Sequence, residues 1–277
     1  MVPTEYIWKS FDGLDLYAVQ MSPYNPVEVL VLFVHGHGDH SQRYVDWFSH
    51  LNERNIAVIA FDYRGNGKSQ GKRGVIRKFD DLFQDVSLVF QNTKKLFPQI
   101  PVVLYGHSLG ATMVLSYILR SKSLPKLAIA TSPWLELKRH PGKLKSVMIR
   151  LANRIAPFAT FESGLRSADF STKDRLNVND QKDLLAHNRI SPRLVTEVEK
   201  EARWIYDNFD KLKVPLLVVQ GLEDKVMNVS TVQNLVENLA GKAEYKEFLN
   251  VGHHLHLADN SKEVIDYIID WIKKGIK

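Results

Sequence analysis

The pentapeptide Gly-His-Ser-Leu-Gly at residues 106–110 constrains this chain more than any other sequence feature. An apolar run at residues 101–105 precedes it and predicts a strand, and an apolar run at residues 111–119 follows it and predicts a helix. A strand that turns directly into a helix leaves no room for side chains two positions before and after the serine, so glycine is needed at both. The turn lifts the Ser108 hydroxyl above the strand end, where the helix N-terminus favours developing negative charge. Ser108 is therefore the candidate nucleophile.

Strand and helix patterns alternate through the first half of the chain. Nearly continuous apolar runs at residues 27–34, 56–61 and 126–131 predict strands that are covered on both faces. Helical spacing of apolar residues lies between such runs, most clearly at residues 79–97. This alternation predicts an α/β fold with a doubly wound, mostly parallel sheet.

The alternation is interrupted once. Residues 132–208 contain several helical stretches and no convincing strand. A buried strand pattern returns at residues 214–220 and is followed by further helix and strand patterns. We therefore expect a helical cap inserted at residues 132–208, and an α/β core formed by residues 1–131 and 209–277.

Composition narrows the class of protein. Apolar residues make up 44% of the 277 residues, which supports a substantial core, and the absence of cysteine excludes disulfides and thiolate metal sites. The net charge of +6 indicates either an ordinary basic surface, which we prefer, or affinity for an acidic surface such as anionic lipid, and no nucleic-acid recognition motif accompanies it. The sequence shows no signal peptide and no membrane-spanning run. We expect a cytoplasmic protein that associates with membranes at most peripherally.

Two loops supply partners for the candidate nucleophile. Acyl transfer by a serine needs a base and an acid that orients the base. Asp224 follows the strand at residues 214–220, and His253 follows a predicted strand at residues 243–248. Because catalytic groups collect at the carboxyl edge of such a sheet, Asp224 and His253 are the candidate acid and base. His254 is the alternative base; His253 is preferred because it directly follows a glycine at the loop tip.

An oxyanion site requires two backbone N–H donors. We expect them from Leu109, directly after the serine, and from His37, after the first long strand. The loop containing His37 reads HGHGDH at residues 35–40, which also matches the dinuclear zinc motif of metallo-β-lactamase-like hydrolases. That fold has a different strand order and leaves the serine turn and the Asp–His pair unexplained. Zinc is thus the minor alternative, and no metal or cofactor is expected.

Together these motifs resemble the monoacylglycerol lipase/lysophospholipase branch of the α/β-hydrolases, from about Ser10 to the C-terminus. Residues 35–44, HGHGDHSQRY, are similar to the branch's oxyanion motif HGxGEHSxRY. Residues 62–69, DYRGNGKS, are similar to its D-x-R/H-G-x-G-x-S block, with Asn66 where a histidine is frequent. Residues 187–191, HNRIS, look like the segment that closes the cap. The resemblance implies the α/β-hydrolase fold and the catalytic roles given above for the serine, aspartate and histidine.

The cap sequence suggests a site for an acyl chain. Apolar residues recur at helical spacing from Leu144 to Ile155, with basic residues between them. Such a stripe indicates either a helix packed over the active site, which we prefer, or a helix on an anionic lipid surface. Either arrangement suits an acyl chain better than a charged peptide. The cap residues expected to contact substrate are Trp134, Leu144, Met148, Leu151 and Phe158.

These features predict a serine hydrolase that cleaves carboxylic esters of single-chain lipids, either monoacylglycerols or lysophospholipids, through an acyl-enzyme. One alternative is a general carboxylesterase or thioesterase for short acyl esters. Another is a hydrolase-fold binding protein without turnover, which the complete set of Ser, His and Asp argues against. An aminopeptidase is less expected, because the cap sequence has no acidic cluster to hold a free amine.

Overall fold

The computed structural model describes residues 3–139, 142–164, 169, 183–237, 241 and 243–277. Its strands are β1 (Thr4–Lys9), β2 (Asp15–Met21), β3 (Val29–Val34), β4 (Ile56–Phe61), β5 (Val102–His107), β6 (Leu127–Thr131), β7 (Phe161–Glu162), β8 (Arg189–Ile190), β9 (Leu216–Gly221) and β10 (Ala243–Phe248). Its α-helices are α1 (Val45–Asn52), α2 (Phe79–Leu96), α3 (Leu109–Arg120), α4 (Lys143–Ile155), α5 (Pro192–Asn208), α6 (Val229–Glu237) and α7 (Ser261–Gly275). Within the described ranges, every helix is too short or too polar to span a bilayer.

Eight strands form one sheet in the order β1-β2-β4-β3-β5-β6-β9-β10. Strand β2 is antiparallel to both of its neighbours, and all the other pairs are parallel. Successive side chains of a strand point to opposite faces. Leu30 and Leu32 thus pack with α2, α3 and α5, whereas Val31 and Phe33 pack with α1 and α7. The prediction of a doubly wound, mostly parallel sheet is confirmed.

The winding of the sheet determines where a site can form. From β3 the chain passes to β4 on one side, and then returns to place β5 and β6 on the other side. The carboxyl ends of β3 and β5 therefore flank the point where the winding direction reverses, which is where ligands bind in such sheets. The loops after β3, β5, β9 and β10 lie along this same edge.

The inserted segment differs from the sequence prediction in two respects. The two-residue strands β7 and β8 pair antiparallel inside it, and they are too short to produce a recognisable alternation. Helix α5, which the prediction included in the cap at residues 132–208, buries Leu194 and Val198 in the same core as α2 and α3. Because α5 packs as a layer of the α/β core, we propose that the insertion is narrower and covers residues 132–191.

Candidate active site

The turn between β5 and α3 holds Ser108 at φ 55° and ψ −118°, a strained backbone conformation for a residue with a side chain. A Cβ atom on Gly106 would lie 2.3 Å from the carbonyl oxygen of Gly110. A Cβ atom on Gly110 would lie 2.1 Å from the carbonyl oxygen of Val34. Both obstacles are backbone atoms and cannot move aside as a flexible side chain would. The expectation that glycine is needed at both positions is confirmed.

The structure brings together three side chains from three separate loops. The Ser108 Oγ lies 3.0 Å from His253 Nε2, and His253 Nδ1 lies 2.8 Å from Asp224 Oδ2. All three residues are buried. Because a carboxylate only accepts hydrogen bonds, His253 carries its proton on Nδ1, and its Nε2 accepts from the serine hydroxyl. The serine proton thus faces an unprotonated imidazole nitrogen.

Asp224 is held as an anion by its surroundings. Burial raises its pKa, but the charge of His253 and hydrogen bonds from His253 and from the N–H groups of Met227 and Val226 lower it to about 2. The two backbone bonds reach Oδ1 and measure 2.9 and 2.8 Å. The carboxylate is therefore ionised at neutral pH and can stabilise a positive charge on His253.

Gln220 is a site residue that the sequence analysis missed. It is fully buried near the end of β9, and its Nε2 donates to Asp224 Oδ2 at 2.9 Å. The signal in the sequence is weak: Gln220 is the single amide at the end of an otherwise apolar run, four residues before Asp224. The sequence places Gln220 at the end of a strand. Its contact with Asp224 follows only from the way the loop after β9 folds back.

The two candidate oxyanion donors, His37 and Leu109, belong to segments that flank Ser108. A Cβ atom on Gly36 would lie 3.2 Å from the Cβ of Ser108, so the loop after β3 packs directly against the nucleophile. Leu109 is the first residue of α3. Within the described part of the chain, the N–H groups of His37 and Leu109 form no hydrogen bond. Two unused donors beside Ser108 are what a developing oxyanion requires.

The loop that carries His37 is bonded to the returning end of the cap. The His187 N–H donates to the Gly38 carbonyl oxygen at 2.8 Å. The Asn66 Oδ1 accepts from the Gly38 N–H at 3.2 Å and from His187 Nε2 at 3.0 Å. The contact is close, because a Cβ atom on Gly38 would lie 2.0 Å from the His187 carbonyl oxygen. Asn66 therefore links the loop that carries His37 to the end of the cap. It stands where the family that this sequence resembles frequently has histidine.

The zinc-like hexapeptide at residues 35–40 does not assemble a metal site. His35 Nδ1 bonds to the backbone of its own loop, and His37 Nε2 bonds to a carbonyl oxygen of the cap. Asp39 accepts from a tyrosine hydroxyl, and His40 bonds to Asp183. Among the described residues, the potential metal ligands that converge lie elsewhere.

The five predicted cap residues fall into two groups. Trp134 is buried, and its backbone N–H donates to the Ser108 carbonyl oxygen at 3.2 Å. The centre of its ring lies 6.2 Å from that of His37. Leu144, Met148, Leu151 and Phe158 are instead 76%, 61%, 54% and 43% exposed. The preferred interpretation, in which α4 packs this stripe over the active site, is wrong: the stripe is exposed, and α4 contacts the core through Ile149. Helical periodicity identifies an apolar face but not what it contacts.

Further histidines surround His253. The rings of His107 and His254 lie 5.1 and 5.6 Å from it, and the ring of His256 lies 5.2 Å from that of His254. Burial lowers the pKa of His107 and His254 well below the usual value, and lowers that of His256 to about 3. These rings are therefore neutral at pH 7. His253, and not His254, lies between Ser108 and Asp224.

Comparison with known proteins identifies the family of this chain. The sequence matches the family described as "Serine aminopeptidase, S33" over residues 25–260. The chain belongs to this family. It is 30% identical over 251 residues to an uncharacterized abhydrolase domain-containing protein of Dictyostelium discoideum, a match that covers 89% of this chain and 26% of that protein. It is 26% identical over 270 residues to a monoglyceride lipase homolog of monkeypox virus, covering 97% and 98% of the two chains.

A solved relative shows the same architecture over nearly the whole chain. The crystal structure of a Paleococcus ferrophilus monoacylglycerol lipase superposes with a TM-score of 0.84 at 25% identity, and the match covers 94% of this chain and 99% of that one. The α/β-hydrolase fold and the resemblance to the monoacylglycerol lipase branch are thereby confirmed. The chain is a serine ester hydrolase of that branch.

Proposed function

We propose that this enzyme hydrolyses carboxylic esters of single-chain lipids, monoacylglycerols or lysophospholipids, through an acyl-enzyme on Ser108. One observation carries the mechanism: hydrogen bonds of 3.0 and 2.8 Å link Ser108 to His253 and His253 to Asp224. This arrangement can move the serine proton to a base whose positive charge is balanced by an ionised carboxylate.

Acylation begins when Ser108 Oγ attacks the ester carbonyl carbon and His253 Nε2 takes the hydroxyl proton. The carbonyl oxygen becomes an oxyanion and accepts from the N–H groups of His37 and Leu109. Collapse of the tetrahedral intermediate breaks the bond to the glycerol oxygen. His253 returns its proton to that oxygen, which leaves as the free alcohol.

Deacylation repeats the same steps with water as the nucleophile. His253 takes a proton from water, whose oxygen attacks the acyl carbon bound to Ser108. The second tetrahedral intermediate expels the serine oxygen, which recovers its proton from His253. The fatty acid is released and the enzyme returns to its starting state.

The lipid character of the substrate is inferred from the cap and from the relatives. Trp134 places an aromatic ring beside the loop that carries His37, and α4 presents an apolar stripe at the surface of the insertion. Relatives that align over nearly the whole chain are named as monoglyceride or monoacylglycerol lipases. Apolar surface near an ester-cleaving serine favours acyl chains, because each buried methylene contributes about 0.8 kcal/mol.

A chain-length series tests the substrate class. With p-nitrophenyl esters from acetyl to palmitoyl, kcat/KM should rise about fourfold per methylene until the site is filled. Trp134→Leu should flatten that rise while acetyl ester hydrolysis survives, because this ring lies 6.2 Å from that of His37. Trp271→Leu is the matched control and should leave the profile unchanged, because Trp271 bonds to Glu244 at the amino end of β10, away from the site. A wild type that prefers acetyl esters would instead indicate a general carboxylesterase.

The exposed stripe of α4 also supports contact with an anionic lipid surface. Arg150 and Arg154 are exposed on the same helix. An amphipathic helix with apolar and basic residues binds in the interface of a bilayer. The stripe residues, each more than half exposed, are Leu144, Val147, Met148, Leu151 and Ile155.

Vesicle sedimentation tests this contact. The protein should sediment with phosphatidylglycerol vesicles more than with phosphatidylcholine vesicles, and added salt should weaken the binding. Leu144→Ser combined with Leu151→Ser should abolish this binding. Leu96→Ser, at an exposed leucine at the end of α2, is the control and should leave it unchanged. Equal sedimentation of the double variant and the wild type would exclude the stripe as the contact.

A further inference from the structure

A cluster of imidazoles around the candidate base has no role in the mechanism above. One ring nitrogen from each of His107, His253 and His254 lies within 4.8 Å of the other two. His107 and His253 are buried, whereas His254 is only half-buried, so the cluster reaches solvent through His254. This cluster is separate from the zinc-like hexapeptide at residues 35–40, whose potential ligands do not converge.

His107 presents an unused lone pair to this cluster. Its Nδ1 lies 3.1 Å from the Thr131 Oγ1, and that hydroxyl donates to the Gly106 carbonyl oxygen at 3.2 Å. Because the hydroxyl proton is engaged, Oγ1 accepts from His107, and the proton of His107 is therefore on Nδ1. Nε2 is left as a bare acceptor. It is buried and has no hydrogen-bond partner in the described part of the chain.

We propose that His107, His253 and His254 form an inhibitory site for a divalent transition-metal cation of the Zn²⁺ type. A cation at the centre of a triangle with 4.8 Å sides would lie within about 2.8 Å of each nitrogen. Zinc–imidazole bonds measure about 2.0–2.1 Å, so each ring needs to move inward by about 0.7 Å. Ring rotations accomplish a shift of that size.

The donor set selects the class of cation. Three imidazole nitrogens without a carboxylate or thiolate suit Zn²⁺, Cu²⁺ or Ni²⁺, whereas Mg²⁺ and Ca²⁺ require oxygen ligands. Asp224 already accepts the Nδ1 proton of His253 at 2.8 Å. A carboxylate in that position fixes the tautomer of a ligating histidine and strengthens it as a ligand. The fourth position is open to water or to Ser108 Oγ.

The consequence for activity rests on the proposed function. The only unprotonated nitrogen of His253 is Nε2, the atom that accepts the serine proton. A cation bound to that lone pair leaves Ser108 without a base, so the ester is not attacked. Removal of the cation by a chelator restores the base. The site thus makes hydrolysis sensitive to free zinc without making zinc a cofactor.

Direct metal binding tests the site without reference to activity. Zinc affinity is measured by competition with a chromophoric zinc chelator, and Co²⁺ is added separately to detect the visible absorption of tetrahedral nitrogen coordination. Wild type and Ser108→Ala should bind one cation at this site. His254→Gln and His107→Gln should each weaken it at least tenfold, and His50→Gln, at an exposed histidine of α1, should not. Equal affinity in His254→Gln and wild type would overturn the site.

Inhibition tests the consequence for catalysis. Each variant is compared with itself, with and without Zn²⁺, and thermal melting identifies any variant that fails to fold. Zn²⁺ should inhibit wild type, EDTA should reverse the inhibition, and His254→Gln should need at least tenfold more Zn²⁺. Equal inhibition by Mg²⁺ would contradict the site. Cation binding in a protein that cleaves no ester would overturn the proposed function alone, and ester cleavage without cation binding would overturn the site alone.

Discussion

Gln220 and Asp224 share a hydrogen bond of 2.9 Å from the amide Nε2 to the carboxylate Oδ2. The same oxygen accepts from His253 Nδ1, whereas Oδ1 accepts, among the residues that the structure describes, only from backbone N–H groups of its own turn. One carboxylate oxygen is therefore fixed by the loop, and the other is shared between β9 and the candidate base. Gln220 sets the rotation of the carboxylate and hence the direction in which His253 is held.

Replacing Gln220 with leucine should lower kcat by a factor of about 10 to 150 and leave KM nearly unchanged, because a lost hydrogen bond to a charged group is worth about 1.5–3 kcal/mol. The pKa of Asp224 should rise at the same time, which NMR titration of the carboxyl carbon would detect. Gln233→Leu is the matched control, since that amide also bonds to a carboxylate but on α6, away from the site. A kcat loss of equal size in both variants would argue against a positioning role.

Ser108→Ala should retain the fold and lose at least ~10³-fold in kcat, because only binding and the oxyanion donors remain. A fluorophosphonate probe should label wild type at Ser108 and leave the alanine variant unlabelled. Mass spectrometry of the labelled peptide checks the position. Undiminished labelling of Ser108→Ala would place the nucleophile elsewhere.

His253→Ala should be nearly as damaging as Ser108→Ala, because the two residues act as one proton-transfer unit and their losses are not additive. The double variant should therefore be little worse than either single variant. His254→Ala should cost far less, since His253 occupies the position between Ser108 and Asp224. Matched kinetics on one ester compare the variants, and the reverse ranking would assign the base to His254.

Folding stability should decline as pH falls below about 6.5, the usual pKa of histidine. Burial lowers the pKa of His37 and His256 to about 3, and that of His187 to about 4. These histidines therefore bind protons near pH 6.5 in the unfolded chain, whereas in the folded chain they stay neutral until the pH approaches 3 to 4. Each such histidine costs about 1.4 kcal/mol of stability per pH unit within that window. Asp224 adds its own loss only below its usual value of 3.8, as the pH falls towards 2.

Denaturant unfolding at several pH values between about 7.5 and 4.5 measures this slope. His256→Gln should reduce the slope of the free energy of unfolding against pH by the contribution of one histidine, about 1.4 kcal/mol per pH unit. Gln91→Asn, at an exposed amide of α2 that does not titrate, should leave it unchanged. A free energy of unfolding that is constant over the window would show that these histidines are not buried as neutral rings.

The parts of the site that follow from local backbone constraints could be predicted from the sequence. Two glycines around Ser108 satisfy a steric requirement that any chain with this turn must meet. Asp224 and His253 each follow a strand whose apolar pattern is clear, and a parallel sheet brings such loops to one edge. The sequence therefore predicted which three side chains meet at this edge as the candidate nucleophile, acid and base.

Features that depend on contacts between distant segments could not be predicted in this way. The pattern of α4 identified an apolar stripe, but whether Leu151 is covered depends on how the helix is oriented against the core. The convergence of His107 with His254 depends on side-chain directions at the end of β5 and in the loop after β10. The bond between Gln220 and Asp224 depends on how the loop after β9 folds back.

The hydrogen bonds that join Gly38, Asn66 and His187 limit how the substrate preference of such an enzyme can be changed. The proposed insertion cannot be exchanged independently of the core, because its last residues bond to the loop that carries His37, a candidate oxyanion donor. A chimera with the insertion of a relative would retain the nucleophile and lose rate unless it kept the segment from Asp183 to Ser191. Evolution of a new specificity in this lineage is therefore expected to vary the first part of the insertion and to spare its end.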